Sequence, residues 1–313
     1  MAGGALIGQG PILGLFSGIS WGAGDFCGGL ISRYASVFAA MIISQGVGLA
    51  GTLVLLALSG EPLPAPGALA FAAAAGASGV TGLGFFYYAL SRGTMGVVAP
   101  LAALIGAGLP VLLAIYGGEH VSSGRLVGIL IALGAVVLIS LPGGERAGSE
   151  QRRRRIDVGE LPLVVLSGLG FAGFFIFTDH ATAGGETWWP MTIVRLVGMS
   201  LVALALVVAL ARVSRPSLRE RAISVLGLRR LRSHSLSGVT LIVLFGVTGL
   251  GDLGGNVFFV LSKHADALSV AVVLSSLYPV VTTVLAALLL RERLRPLQLL
   301  GVALATASVP LLR

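Results

Sequence analysis

Ten apolar runs, separated by short polar connections, divide this chain. They fall at approximately 11–31, 36–58, 67–91, 95–117, 124–141, 161–181, 190–211, 239–262, 267–290 and 296–312. At ~1.5 Å per residue, most are long enough to cross a hydrocarbon core of about 30 Å. The fifth and tenth are near the lower limit and are expected to stand almost upright. Helix breakers mark the connections: Glu61 to Pro66 with three prolines, Pro142-Gly143-Gly144, and Arg295-Pro296. Trp188 and Trp189, just ahead of the seventh run, suit a membrane interface. The pattern predicts an all-α polytopic membrane protein with ten transmembrane helices.

The second half of the pattern repeats the first. Ser17-Gly18 matches Ser167-Gly168, Met41 matches Met191, and Gln45 falls opposite Arg195 at one constant offset. The six residues Gly79 to Gly84 recur letter for letter from Gly246 to Gly251. Leu90-Ser91-Arg92 answers Leu261-Ser262-Lys263, Glu119 answers Glu292, and Gly128 answers Gly301. Five spans per copy is an odd number, so the second copy must enter the bilayer upside down. Two inverted five-helix repeats are therefore expected, at 12–141 and 161–312, joined by a basic linker at 142–160. Such repeats around a shared chamber are the architecture of alternating-access carriers.

Composition agrees. Of 313 residues, 56% are hydrophobic and 11% charged, and the mean hydropathy is +0.97; such a chain lives in lipid. Residues 1–10 hold no Lys or Arg, so the first run lacks the basic flank of a cleaved signal peptide and is expected to remain as a helix. The one cysteine, Cys27, excludes an intrachain disulfide and reads as a small apolar packing residue. The net charge of +8 is almost all arginine in short connections, which points to membrane orientation and away from nucleic acid. The odd-numbered connections carry 17 Lys and Arg and the opposite side 3. The positive-inside rule then puts those connections in the cytoplasm and both termini outside, in a cell (inner or plasma) membrane. The 152–155 arginines and the 212–238 loop also suit anionic lipid. In that loop Leu and Arg do not segregate onto two faces, so no amphipathic helix is expected there.

Each half closes with a long apolar helix, a Glu at the turn, and a helix containing Gly: Pro279 to Glu292 and then Gly301 in the second, Leu109 to Glu119 and then Gly128 in the first. With the repeat and the span count, this resembles the EamA-type members of the drug/metabolite transporter superfamily. The first half departs by carrying Gly106 where the second has Pro279, with Pro110 one turn later. Arg195 fits the Arg that this family tends to carry early in the second helix of a repeat, while Gln45 departs from it. The resemblance implies a secondary carrier of small metabolites, amino acids or drugs, often an exporter, driven by protons or exchange. It implies no particular substrate. Many relatives have both termini inside, an expectation with which the charge count conflicts.

Ionisable groups inside spans cost about 2.5–3.5 kcal/mol on insertion scales, so each needs a reason. Asp252 lies midway along the eighth run, four residues before Asn256, among Gly249, Gly251, Gly254 and Gly255. Local unwinding at these glycines, with Asp252 and Asn256 facing the chamber as proton or substrate contacts, is one expectation; a buried Asp held by freed backbone groups is the other. Arg195 reads as a residue snorkelling to headgroups, an anion clamp for a substrate carboxylate or phosphate, or the partner of Asp252. Asp25, flanked by glycine in the first run, is expected to face the chamber. Asp179 and His180 end the sixth run as interface residues. Glu119 and Glu292 are expected to cap the helix that follows each of them. Gln45, Trp21, Tyr88 and Tyr278 complete the candidate contacts. His120, His234 and His264 lack paired spacing, so no metal is expected, and no cofactor.

There is no His–Glu zinc motif, phosphate-cradling loop, nucleophile elbow or nucleotide-binding P-loop, which argues against an enzyme or an ATP-driven pump. The expected partners are a small-molecule substrate and the bilayer, with the chain a monomer or homodimer. A flippase for lipid-linked intermediates is the alternative. A membrane enzyme or an inert scaffold fits less well.

Overall fold

In lipid every backbone N–H and C=O must find its partner within the chain, and a helix is the simplest way for a single apolar run to achieve this. The computed structural model describes residues 9–34, 36–92, 95–140, 161–213, 217–227, 238–291 and 294–312, and these are helical almost throughout. The first half supplies α1 (Gly10–Tyr34), α2 (Val37–Ser59), α3 (Pro66–Arg92), α4 (Met95–Tyr116) and α5 (Ser123–Ser140). The second supplies α6 (Leu161–Ala181), α7 (Trp188–Arg212), α8 (Leu218–Val225), α9 (Gly238–Ala265), α10 (Leu268–Ser275), α11 (Tyr278–Leu289) and α12 (Pro296–Ser308), ending in a short 3₁₀ turn. Among the described residues, six stretches are long and apolar enough to span a membrane: 38–59, 66–86, 161–181, 188–212, 238–265 and 268–289. Shorter apolar helices occupy 101–116, 123–139 and 296–312. The chain is a multi-pass, all-helical membrane protein. The basic linker lies outside the described residues.

Two expectations need correction. The eighth apolar run is not unwound: α9 continues as one helix past all four of its central glycines. The break comes in the ninth run instead, at Ser276-Leu277 between α10 and α11. There Pro279, in the first turn of α11, has no N–H to offer the Ser275 carbonyl and its ring crowds that carbonyl. The 212–238 loop contains a short helix, α8. Ser217 caps it by accepting a hydrogen bond from the Glu220 N–H, and that local capping starts the helix without a segregated apolar face.

The two halves interlock rather than stand side by side. α1 packs on α9, α10 and α11, all from the second half, while α6 packs on α3 and α4 from the first. Glycine makes these approaches possible. A Cβ at Gly170 of α6 would fall 2.5 Å from Gly82 Cα of α3, and one at Gly251 of α9 would fall 2.6 Å from the Ser20 carbonyl oxygen of α1. Ser17 Oγ donates to Gly255 O at 2.7 Å and Ser262 Oγ donates to Gly10 O at 2.7 Å, stitching α1 to α9 along its length. Helices that match in the sequence repeat also meet, and they run in opposite directions. On α2 and α7, Gly48 faces Arg195 while Gly198 faces Gln45. On α5 and on α12 with the 3₁₀ turn that ends it, Gly128 meets Leu311 while Gly301 meets Ile139.

Candidate functional site

The polar centre is built where α2, α7 and α9 meet. α9 contributes Asp252 and Asn256, which share a face because the helix stays regular. α7 contributes Arg195 from its second turn, buried to 3% exposure. α2 contributes Ser44, Gln45 and Gly48. Arg195 Nη1 donates to Asp252 Oδ2 at 2.5 Å, and Nη2 donates to the Asp252 carbonyl at 3.1 Å. Ser44 Oγ donates to the same carboxylate oxygen, Oδ2. Asn256 Nδ2 reaches Asp252 Oδ1 at 3.1 Å and the Asp252 carbonyl at 2.6 Å. Both carboxylate oxygens are thus satisfied by side chains from three helices, and the charge is matched at close range.

Two glycines make room for this cluster. A Cβ on Gly48 would sit 2.8 Å from Arg195 Nε, and a Cβ on Gly198 would sit 2.8 Å from Gln45 Oε1. Of the three readings of Arg195, the geometry realises the pairing with Asp252; the side chain points into the protein and does not snorkel. The alternative for Asp252, satisfaction by freed backbone, is replaced by side-chain partners. Ser44 and Gly48 were not singled out from sequence. Their signal is a small-and-polar stripe, Ser44-Gln45 and then Gly48, in an otherwise apolar helix.

Asp25 approaches the same centre from α1: its neighbour Gly24 abuts the backbone of Gly251 and Asp252. Asp25 is exposed at the protein surface and makes no hydrogen bond or ion pair among the described residues. Trp21, one turn earlier, joins Phe174, Phe175 and Phe259 in an aromatic cluster with ring centroids 4.9–6.3 Å apart. The indole lies directly against Gly255. Tyr278 begins α11, where Gly22 of α1 packs on its carbonyl. The side chain of Tyr88 and the whole of Glu292 lie outside the described residues. A separate crevice of about 240 Å³ among Leu15, Ile19, Leu274, Val280 and Thr306 holds none of these charged groups.

The face that carries the start of α1 and the α2–α3, α4–α5, α6–α7 and α9–α10 turns is tied shut by polar contacts. Glu61 accepts from the Thr187, Trp188 and Trp189 backbone N–H groups at 2.9–3.1 Å, capping α7 from the other half. Trp189 Nε1 donates to the Glu61 carbonyl at 3.1 Å. Arg125 pairs with Asp266 at 3.1 Å. Glu119 accepts from Ser269 Oγ and from the Ser269 N–H. This corrects the expectation for Glu119: it caps α10 across the repeat, not the helix that follows it, because the α4–α5 turn lies over the start of α10. Asp179 is a partner of Lys263 at 3.1 Å, and His264 Nε2 lies 2.9 Å from the Thr182 carbonyl. No group of His, Cys, Asp or Glu able to hold a metal occurs among the described residues.

Glu61→Ala is expected to cost about 1–2 kcal/mol, since it strips a charged cap from three helix N-terminal donors. A thermal-unfolding scan in detergent should show a fall of a few degrees; an unchanged midpoint would mean the cap is already solvated.

The EamA-like transporter family model matches residues 8–141 and 160–313, one match to each half of the interlocked structure. The chain belongs to that family. An EamA-like transporter is a membrane protein that moves small molecules, and the two matches follow the sequence repeat. Among solved structures, one titled "Crystal structure of protein" aligns with a TM-score of 0.70 over 97% of both chains at 16% identity. That likeness shows a shared fold for this EamA-like chain. A comparison with curated proteins finds no match.

Proposed function

We propose that this EamA-like protein is a secondary carrier that exports small metabolites, amino acids or drugs by alternating access. Its ten spans form two inverted repeats around one chamber. The observation that carries the reading is the Arg195–Asp252–Ser44–Asn256 network, which joins three helices in the middle of apolar spans. Buried charge is expensive in lipid and is kept where it binds or couples. Antiparallel contact between repeat-equivalent helices, α2 with α7 and α5 with α12, supports the inversion.

The tied face and the exposed Asp25 support a chamber that opens toward the arginine-rich connections. With those connections in the cytoplasm, this is the state that loads substrate from inside. Export then requires the Glu61, Arg125–Asp266 and Glu119–Ser269 contacts to part while the other face closes. Proton coupling or exchange supplies the drive, in a cell membrane with both termini outside.

Asp252→Asn tests the reading. Proteoliposomes loaded with the metabolite found in an export screen should lose flux by about tenfold or more, equivalent to ~1.4 kcal/mol of barrier per decade. Normal flux with unchanged pH dependence would end the proposal. Scrambling of fluorescent lipid by the same vesicles, without metabolite flux, would assign the protein to lipid translocation.

A further inference from the structure

We propose that the crevice between α1, α10, α11 and α12 is a binding site for one phospholipid acyl chain, drawn from the leaflet on the tied face. It requires only that the protein spans a membrane, and so stands or falls apart from the carrier reading.

The lining is apolar. Its walls include Leu15 and Ile19 of α1, Leu277 at the helix break, Val280 of α11, Thr306 of α12 and Val309 in the 3₁₀ turn. Thr306 carries the one polar side chain of the lining, and its hydroxyl donates to the Val302 carbonyl at 2.9 Å within its own helix. The break brings polar backbone close, since the Ser275 carbonyl gains no N–H from Pro279. Gly18 of α1 packs over it: a Cβ there would lie 2.9 Å from the Leu274 carbonyl oxygen and 3.3 Å from that of Ser275. Apolar space without hydrogen-bond partners stays dry, and a cavity of about 150 Å³ already takes up benzene. This crevice is about 240 Å³.

Depth and direction identify the occupant. α1 begins on the tied face at Gly10, so at ~1.5 Å per residue Leu15 and Ile19 lie about 7–14 Å below its start. That is within one leaflet of a hydrocarbon core about 30 Å thick. Ile19 is 49% exposed and continues the outward-facing line of Ile12 and Phe16. Thr306 on the opposite wall is exposed as well. The mouth therefore opens among lipid tails, below the headgroups. A second copy of the protein would present a helix about 10–12 Å across, too broad for this space. A flexible run of methylenes fits it.

The acyl chain also has a structural place to fill. α12 packs on α5 and touches α11 only lightly. The seam between α12 and the α1–α10–α11 unit is therefore left open by the protein's own side chains. Methylenes seated there supply the van der Waals partners that the lining otherwise forgoes. Each one buried also leaves less apolar surface uncovered, which favours retention. The acyl chain thus bridges α12 to the broken span, with Leu277 at the break forming part of the wall.

The test is photolabelling of the full-length protein in phosphatidylethanolamine–phosphatidylglycerol nanodiscs. The probe is a phosphatidylglycerol with a carbene-generating diazirine midway along one acyl chain, and peptide mass spectrometry maps the labelled residues. Phe16, 49% exposed in the same leaflet, reports ordinary surrounding lipid, whereas Leu277 is only 6% exposed and is reached from within the crevice. Label at Leu277 and Val280 as well as Phe16 is expected. Thr306→Phe, which plugs the mouth, should lose the Leu277 and Val280 label and keep that at Phe16. Label at Phe16 alone in the wild type overturns the proposal, as does unchanged Leu277 label in a monodisperse Thr306→Phe protein. Leu277 label that disappears when two copies share a nanodisc would give the face to a second copy and also overturn it. The wild-type pattern decides the matter even where Thr306→Phe does not fold.

Discussion

Arg195→Gln should abolish transport and lower stability by about 3–5 kcal/mol, the usual cost of orphaning one member of a buried ion pair. The Asp252 carboxylate would keep Ser44 and Asn256 but lose its only charged partner among the described residues. Adding Asp252→Asn should then restore most of the stability, because two neutral amides can share the space without an unmatched charge. Transport should stay absent. The comparison needs thermal unfolding and flux on the wild type, the two single variants and the double variant. A double variant no more stable than Arg195→Gln would mean the two side chains are not energetically coupled. A double variant that transports would move the functional chemistry elsewhere in the chamber.

Gly170→Val carries the second large effect. The new Cβ would lie 2.5 Å from Gly82 Cα and 2.8 Å from the Ser78 carbonyl oxygen, so both obstacles are backbone. Overpacking that side chains relieve costs about 1–3 kcal/mol, and here no rotamer change relieves it. Folded protein should therefore fall sharply, read as the monodisperse peak in size-exclusion chromatography. Gly84→Val is the control, since Gly84 sits in the partner helix α3, two residues beyond Gly82, with nothing within 4 Å of its would-be Cβ. Gly251→Val should behave like Gly170→Val, with the Ser20 carbonyl 2.6 Å and Gly24 Cα 2.8 Å away. Equal expression of Gly170→Val and Gly84→Val would show that α3 and α6 do not need this approach.

Much of the fold was readable because lipid imposes a simple code. Length and apolarity placed the helices within a few residues, and the repeated hexapeptide and matched glycines exposed the duplication. The pairing of Arg195 with Asp252 was open to sequence reasoning because unmatched charges in apolar runs seek each other. What stayed hidden depends on contacts between distant segments. Glycine density around Asp252 suggested unwinding, yet those glycines serve helix contact: Gly251 meets α1, and Gly255 meets Trp21. Pro279 was visible, but a helix break depends on whether neighbours tolerate a bend, and here they take up two separate helices, α10 and α11. Glu61 was visible only as the start of a proline-rich connection; its role exists because the α2–α3 turn lies over the start of α7. Ser44 was invisible for the opposite reason, since serine is common in apolar helices and needs no charged partner.

The exchange of α1 and α6 between the halves bears on what moves. α1 adheres to α9, α10 and α11, and α6 adheres to α3 and α4. On the proposed carrier cycle, the pieces that pivot therefore cannot be the amino- and carboxy-terminal segments as written in the gene. Each pivoting piece is a mosaic of both, and a chain severed between α5 and α6 would still be held as one particle by its crossed-over arms.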